Sequence, residues 1–147
     1  MTQTFLLIAD DQEDNRIIFS AILTHNGYGV CLATNGQEAV ELAKAHSPRL
    51  ILMDLQMPVM DGWEATRLLK AAPETADIPV VAITAQDDVA MARLQEVGFC
   101  AYVRKPVEPE KFLRAVELCL ERAAEGKLWI ELAGFAVGDG EPLEQVG

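Results

Sequence analysis

Residues 49–64 read RLILMDLQMPVMDGWE. Four apolar side chains in succession, Leu50 to Met53, run directly into one carboxylate, Asp54, and the chain then breaks up around Pro58, Asp61 and Gly62. An apolar run without polar alternation predicts a strand buried on both faces. Ending such a strand on a charge is costly unless it emerges there at a polar site. What that site is depends on the ends of the other strands.

Four further apolar runs read as strands: FLLIA (5–9), YGVCLA (28–33), IPVVAIT (78–84) and AYV (101–103). Each is followed by a helical pattern. The first helix carries Ile17, Ile18, Ala21 and Ile22 on one face and should end near Asn26, with Gly27 as a left-handed cap. The second, in NGQEAVELAKAH, sets Ala39, Val40 and Ala43 at helical spacing. A third spans about Trp63 to Lys70, and DDVAMARLQEVG forms a fourth closed by Gly98. The last opens with Pro109 at its first position, and Phe112, Leu113, Val116, Leu120 and Ala123 form its apolar face. Five strand–helix alternations predict an α/β chain: a doubly wound (βα)5, flavodoxin-like fold, with a five-stranded parallel sheet and helices on both faces. Such sheets bind ligands outside the carboxyl ends of their strands, where the strand order reverses.

The chain has 147 residues, 50% of them apolar, enough for one domain with a single core and a short appendage. Its formal net charge is −11, with 23 acids against 12 Lys and Arg. Clustered basic residues, which direct DNA binding or an anionic membrane would need, are missing. Cys31, Cys100 and Cys119 lie far apart in apolar contexts and read as small buried hydrophobes with no disulfide framework. The opening MTQTFLLIADD lacks the basic lead and long apolar core of a signal peptide. No window reaches the roughly 18 apolar residues of a membrane span. These features together predict a soluble cytoplasmic protein.

The residues just past each apolar run decide the chemistry. The first strand ends in Asp10-Asp11, the third in Asp54, the fourth in Thr84-Ala85, and the fifth is followed by Lys105-Pro106. The second ends in Thr34-Asn35-Gly36, which reads only as a turn and helix cap. In a parallel sheet these ends share one edge, so three carboxylates, a hydroxyl and an ammonium converge. Three carboxylates at close quarters need a counter-charge. A divalent cation supplies it, and hard oxygen ligands favour Mg2+ or Mn2+ over Zn2+. A metal, a lysine and a hydroxyl around one carboxylate suit a phosphoryl group, with the carboxylate attacking phosphorus in line.

With these residues in this order, the chain resembles the receiver domain of a two-component response regulator over about residues 4–124. The matching motifs are Asp10-Asp11, Met53-Asp54 through Asp61-Gly62, Thr84-Ala85 and Lys105-Pro106. The resemblance implies that Asp54 accepts a phosphoryl group from a phosphohistidine on a sensor histidine kinase or histidine phosphotransfer protein. It implies Mg2+ bound directly by Asp11, Asp54 and the backbone carbonyl of Gln56, with Asp10 acting through water. Lys105 and Thr84 would neutralise and bond the phosphoryl oxygens, and the Lys105–Pro106 peptide would be cis. Tyr102 would be the aromatic that moves as Thr84 swings inward, changing the surface over strands four and five. Gln56 and Gln86, each two residues past a site residue, would flank the path of the hydrolytic water. His25 and His46 lie away from that edge and read as ordinary surface residues.

The receiver is expected to occupy residues 1–126, with 127–147 a short extension too small for an output domain. Its Leu128, Trp129, Ile130, Leu132 and Phe135 either fold back on the chain or join a homodimer interface built with the last two helices and strand five. An alternative function is a phosphohydrolase of the haloacid-dehalogenase kind, which also forms an aspartyl phosphate. That chemistry pairs its first-strand nucleophile with an acid two residues on. Here Asp10 and Asp11 are adjacent and the third acid comes 43 residues later.

Overall fold

The alternating pattern resolves into one sheet in a computed structural model that describes residues 3–86 and 89–124. Its strands are β1 (Phe5–Ala9), β2 (Gly29–Ala33), β3 (Leu50–Asp54), β4 (Val80–Thr84) and β5 (Ala101–Arg104). The helices α1 (Glu13–His25), α2 (Gly36–His46), α3 (Gly62–Ala71) and α4 (Met91–Val97) connect them, and α5 (Pro109–Ala124) follows β5. The strand order is β2-β1-β3-β4-β5, with every pairing parallel. This is the doubly wound flavodoxin-like architecture. The chain steps from β1 to one side to make β2 and to the other to make β3, so the order reverses between β1 and β3.

Strand alternation explains the unbroken apolar runs. Leu6, Ile8, Leu50, Leu52, Val81 and Ile83 face one core, shared with Phe19 and Leu23 of α1 and Phe112 and Val116 of α5. Leu7, Ala9, Ile51, Met53, Val80 and Ala82 face a second core against α2, α3 and α4. Each central strand therefore buries both faces, and polar residues are excluded until the strand ends. The edge strand β2 is covered less completely: Leu32 is 43% exposed.

The face of α1 differs from the sequence expectation. Phe19 and Leu23 are buried, Ile22 is half-buried, and Ala21 is exposed; Ile17 and Ile18 are 59% and 50% exposed. The helix carries more apolar residues than one core-facing stripe accommodates. Its orientation is set by the largest, Phe19, whose ring stacks on Phe112 at 4.6 Å and 14°. On α5 the buried positions are Phe112, Ala115, Val116 and Cys119, with Leu113, Leu120 and Ala123 only half-buried. Cys100 is buried like Cys119, Cys31 is half-buried, and all three are free thiols.

Other boundaries shift by a residue or two. Ile78 belongs to a turn, its N–H donating to the Thr75 carbonyl, so β4 begins at Val80 rather than at residue 78. Tyr28 likewise donates its N–H to the Leu23 carbonyl and precedes β2. Gly27 (φ 92°) and Gly98 (φ 120°) close α1 and α4 as expected. His25 and His46 are exposed. Residues 125–147, and with them the expected extension and its role in a dimer, lie outside the described residues. Among the described residues no helix is long and apolar enough to cross a membrane.

Candidate functional site

The parallel register assembles the site. Ala9 pairs with Met53, so Asp10 and Asp54 leave the sheet side by side where the strand order reverses. Asp54 pairs with Ile83 and Thr84 with Arg104, which brings Thr84 and Lys105 to the same edge. Asp10, Asp54 and Thr84 are all buried, at 1%, 5% and 0% exposure, while Asp11 is exposed. One carboxylate oxygen from each of Asp10, Asp11 and Asp54 lies within 4.8 Å of the other two.

Lys105 ties the cluster together. Its Nζ donates to Asp10 Oδ2 at 2.9 Å and to Asp54 Oδ2 at 3.2 Å. Burial opposes the lysine's charge, but the hydrogen bond to Asp10 and the charges of Asp54 and Asp10 hold its pKa above the ordinary value. Burial likewise dominates at Asp54 and lifts its carboxyl to about 6. The Gln56 N–H, which donates to Asp54 Oδ1 at 3.1 Å, and the Lys105 charge pull it back down; the Asp10 charge pushes it up. The Lys105–Pro106 peptide is cis.

The loop after β3 is held by close backbone contacts. The Gly62 N–H donates to the Leu55 carbonyl, and a Cβ on Gly62 would sit 2.2 Å from the Asp54 carbonyl oxygen. The Gly36 N–H donates to the Met60 carbonyl at 2.8 Å, and a Cβ there would lie 2.4 Å from the same oxygen. Only glycine fits at either place. Between them Val59 takes φ 69°, inside a three-residue turn closed by Met60 N–H to the Pro58 carbonyl at 2.7 Å. A β-branched residue held there costs of order 1–3 kcal/mol. Asp61 caps α3 by accepting from Glu64 N–H at 2.9 Å.

Thr84 and Tyr102 meet through one residue. The Gln86 N–H donates to Thr84 Oγ1 at 3.1 Å, and the Gln86 carbonyl accepts from the Tyr102 hydroxyl at 3.3 Å. Tyr102 is 6% exposed, so its ring is packed inward. Gln86 thus touches both neighbours through its backbone. Gln56 is exposed and contacts Asp54 through its N–H.

Two residues absent from the sequence expectations belong to this neighbourhood. The Arg16 guanidinium donates to the Asp10 carbonyl at 2.7 Å, and Asn15 Nδ2 lies 3.4 Å from Asp10 Oδ1. Their position in the first turns of the helix after Asp10-Asp11 was the available signal.

The donor set fits a small hard cation. All three groups are carboxylates, their oxygens are close enough for one ion to gather, and no nitrogen or sulfur ligand of the kind Zn2+ favours is among them. The same strand edge also carries the Lys105 ammonium and the Thr84 hydroxyl alongside the buried Asp54 carboxylate, a combination of groups suited to a phosphoryl group.

Comparison with known proteins gives the family. A family model described as the response regulator receiver domain matches residues 6–117. The polar-differentiation response regulator DivK of Brucella anthropi is 37% identical over 116 residues, covering 76% of this chain and 92% of that protein. The chemotaxis response regulator CheY4 of Vibrio cholerae superposes with a TM-score of 0.76 at 27% identity, covering 80% of this chain and 99% of that one. The receiver domain of sensor histidine kinase PA1611 from Pseudomonas aeruginosa, solved with a magnesium ion coordinated in its active-site cleft, superposes with a TM-score of 0.74 at 29% identity, covering 82% and 99%. Parallel topology, the acids at the β1 and β3 ends, and this likeness over most of the chain agree: it belongs to the response regulator receiver-domain family, whose general role is phosphorelay signalling.

Proposed function

We propose that this chain is a signalling switch that takes a phosphoryl group on Asp54 from a phosphohistidine of a sensor histidine kinase or histidine phosphotransfer protein. The observation that carries the reading is the contact of Lys105 Nζ with both Asp10 and Asp54 inside a three-carboxylate cluster. Asp11, Asp54 and the Gln56 carbonyl would hold Mg2+ or Mn2+, with Asp10 acting through water. In support of that division, Asp10 Oδ2 is already engaged by Lys105 and its Oδ1 by the Gln12 N–H at 2.9 Å. The bound cation would supply charge neutralisation to the phosphoryl oxygens.

A carboxylate oxygen of Asp54 attacks phosphorus in line. The new P–O bond forms as the P–N bond breaks, and the imidazole of the donor leaves with the electron pair. Lys105 balances the charge that moves onto Asp54. Thr84 Oγ1 turns to donate to a phosphoryl oxygen and gives up the Gln86 N–H. That frees the Gln86 backbone, and the Tyr102 hydroxyl it holds, so the surface over β4 and β5 changes its contacts. The family match supports this reading over the haloacid-dehalogenase-like alternative.

Incubation with acetyl phosphate and Mg2+ tests the acceptor. Wild-type chain should gain one base-labile phosphate and Asp54→Asn none; equal labelling of both overturns the assignment. Gln56→Ala should change the decay rate of the acyl phosphate more than it changes Mg2+ affinity, because only the Gln56 backbone is assigned to the metal. An unchanged decay rate would remove Gln56 from that role.

A further inference from the structure

The carboxylate with the most to gain from positioning is Asp11. It is exposed, and among the described residues no hydrogen bond holds its side chain. Asp54, by contrast, is the last residue of a buried strand, and Asp10 is fixed at every polar atom. The Asp10 N–H donates to the Ala33 carbonyl at 3.1 Å, and its carboxylate accepts from the Gln12 N–H at 2.9 Å and from Lys105 at 2.9 Å. What sets the direction of Asp11 is therefore the plane of the Asp10–Asp11 peptide. The carbonyl of that peptide is the atom that Arg16 Nη1 grips at 2.7 Å.

Arg16 is itself well placed. It is half-buried in the first turns of α1, with its N–H bonded to the Gln12 carbonyl. Its charge also reaches Glu38, whose carboxylate accepts from the Thr34 N–H and hydroxyl, both at 2.7 Å. Those two bonds, with a smaller contribution from the Arg16 charge, hold Glu38 below the usual carboxylate range. Arg16 thus bonds the peptide that precedes Asp11, while its charge also acts on Glu38 in the first turn of α2.

Building on the cation reading above, we propose that Arg16 is a positioning residue for the metal site. By fixing the Asp10 carbonyl it aims the Asp11 carboxylate at Asp54 and sets the affinity for a divalent cation. Groups behind metal ligands typically change affinity 10- to 100-fold when removed. A pure charge effect has the opposite sign, because removing a cation near three carboxylates should tighten Mg2+ binding.

Calorimetric titration of the full chain with Mg2+, for wild type, Arg16→Lys and Arg16→Met, separates the two. The expected order of affinity is wild type, then Arg16→Lys, then Arg16→Met, with Kd raised about 10-fold in the last. The Mg2+ concentration for half-maximal labelling by acetyl phosphate should rise by the same factor, while labelling at saturating Mg2+ stays near wild type. Arg16→Met binding Mg2+ as tightly as wild type, or more tightly, overturns the assignment. If circular dichroism shows Arg16→Met to be unfolded, Arg16→Lys decides, and a wild-type Kd in that variant overturns it. A wild-type chain that bound no Mg2+ would instead overturn the cation reading and this assignment with it.

Discussion

Lys105 Nζ lies 3.2 Å from Asp54 Oδ2, joining two residues that are 51 positions apart in the chain. The pair is unequal. The lysine has a second carboxylate, Asp10, to stabilise its charge, whereas Asp54 is a nearly buried acid whose single cationic partner among the described residues is shared. Lys105→Met should therefore raise the Asp54 pKa further above its value of about 6, since the lysine's charge and hydrogen bond both lower it. Carboxyl 13C titration by NMR reads this directly, and an unchanged midpoint would show the pair to be unimportant. Phosphoryl uptake from acetyl phosphate should fall by about 100-fold in the same variant.

Burial of Asp54 makes a prediction about stability. Its folded pKa of about 6 exceeds the ordinary 3.8, so the folded state holds this proton more tightly than the unfolded chain. The sign follows: the contribution is fully present below about pH 4 and is lost as pH rises through about 6. Asp54→Asn escapes that loss and should be more stable than wild type at pH 7 without metal, by roughly 1–3 kcal/mol. The difference should shrink toward zero below pH 4, and saturating Mg2+ should stabilise wild type more than the variant. Thermal melts at pH 3.5, 5 and 7 check it; a constant difference across that range would contradict the burial argument.

The loop behind the acceptor depends on two missing side chains. Gly62→Ala places a methyl 2.2 Å from the Asp54 carbonyl oxygen, and Gly36→Ala places one 2.4 Å from the Met60 carbonyl oxygen. In both cases the obstacle is backbone, which cannot rotate away. Each substitution should destabilise the chain by about 1–3 kcal/mol. Gly62→Ala should also slow phosphoryl uptake, because the displaced backbone is that of Asp54 itself. Denaturant midpoints within error of wild type would disprove the clash.

A buried hydroxyl offers the opposite test. Thr66 in α3 is fully buried, and among the described residues its Oγ1 has no hydrogen-bond partner. Thr75, also buried, donates to the Leu69 carbonyl at 2.7 Å. Thr66→Val should stabilise the chain by about 1 kcal/mol, whereas Thr75→Val should destabilise it by about the same amount. Chemical denaturation of the two variants side by side reads both signs, and destabilisation by Thr66→Val would mean that its hydroxyl has a partner.

Much of this protein was legible in the residue order because its central strands are buried on both faces. Such strands exclude polar side chains, so the first acids after Ala9 and Met53, the hydroxyl after Ile83 and the lysine after Arg104 could be read as one edge. The unbroken apolar runs of Leu6 to Ala9 and Leu50 to Met53 pointed to burial on both faces, and the structure divides them between two cores. Helix faces were less legible. Ile17 and Ile18 are as apolar as Ile22, and what turned α1 was the stacking of Phe19 on Phe112, a contact spanning most of the chain.

Sequence by itself thus determined the fold class and the residue types gathered at the strand ends, through local hydrophobicity and the one-dimensional order of strand and turn. Tertiary structure decided the distances and the partners. Only packing of β1 against β3 made Asp54 a buried acid with a raised pKa. Only the turn of α1 over that junction brought Arg16 to the Asp10 carbonyl, and only the approach of Gly36 to Met60 fixed the loop beneath the acceptor. Each of these depends on long-range closure, where a shift of a few tenths of an ångström decides whether a hydrogen bond forms, and no local pattern records it.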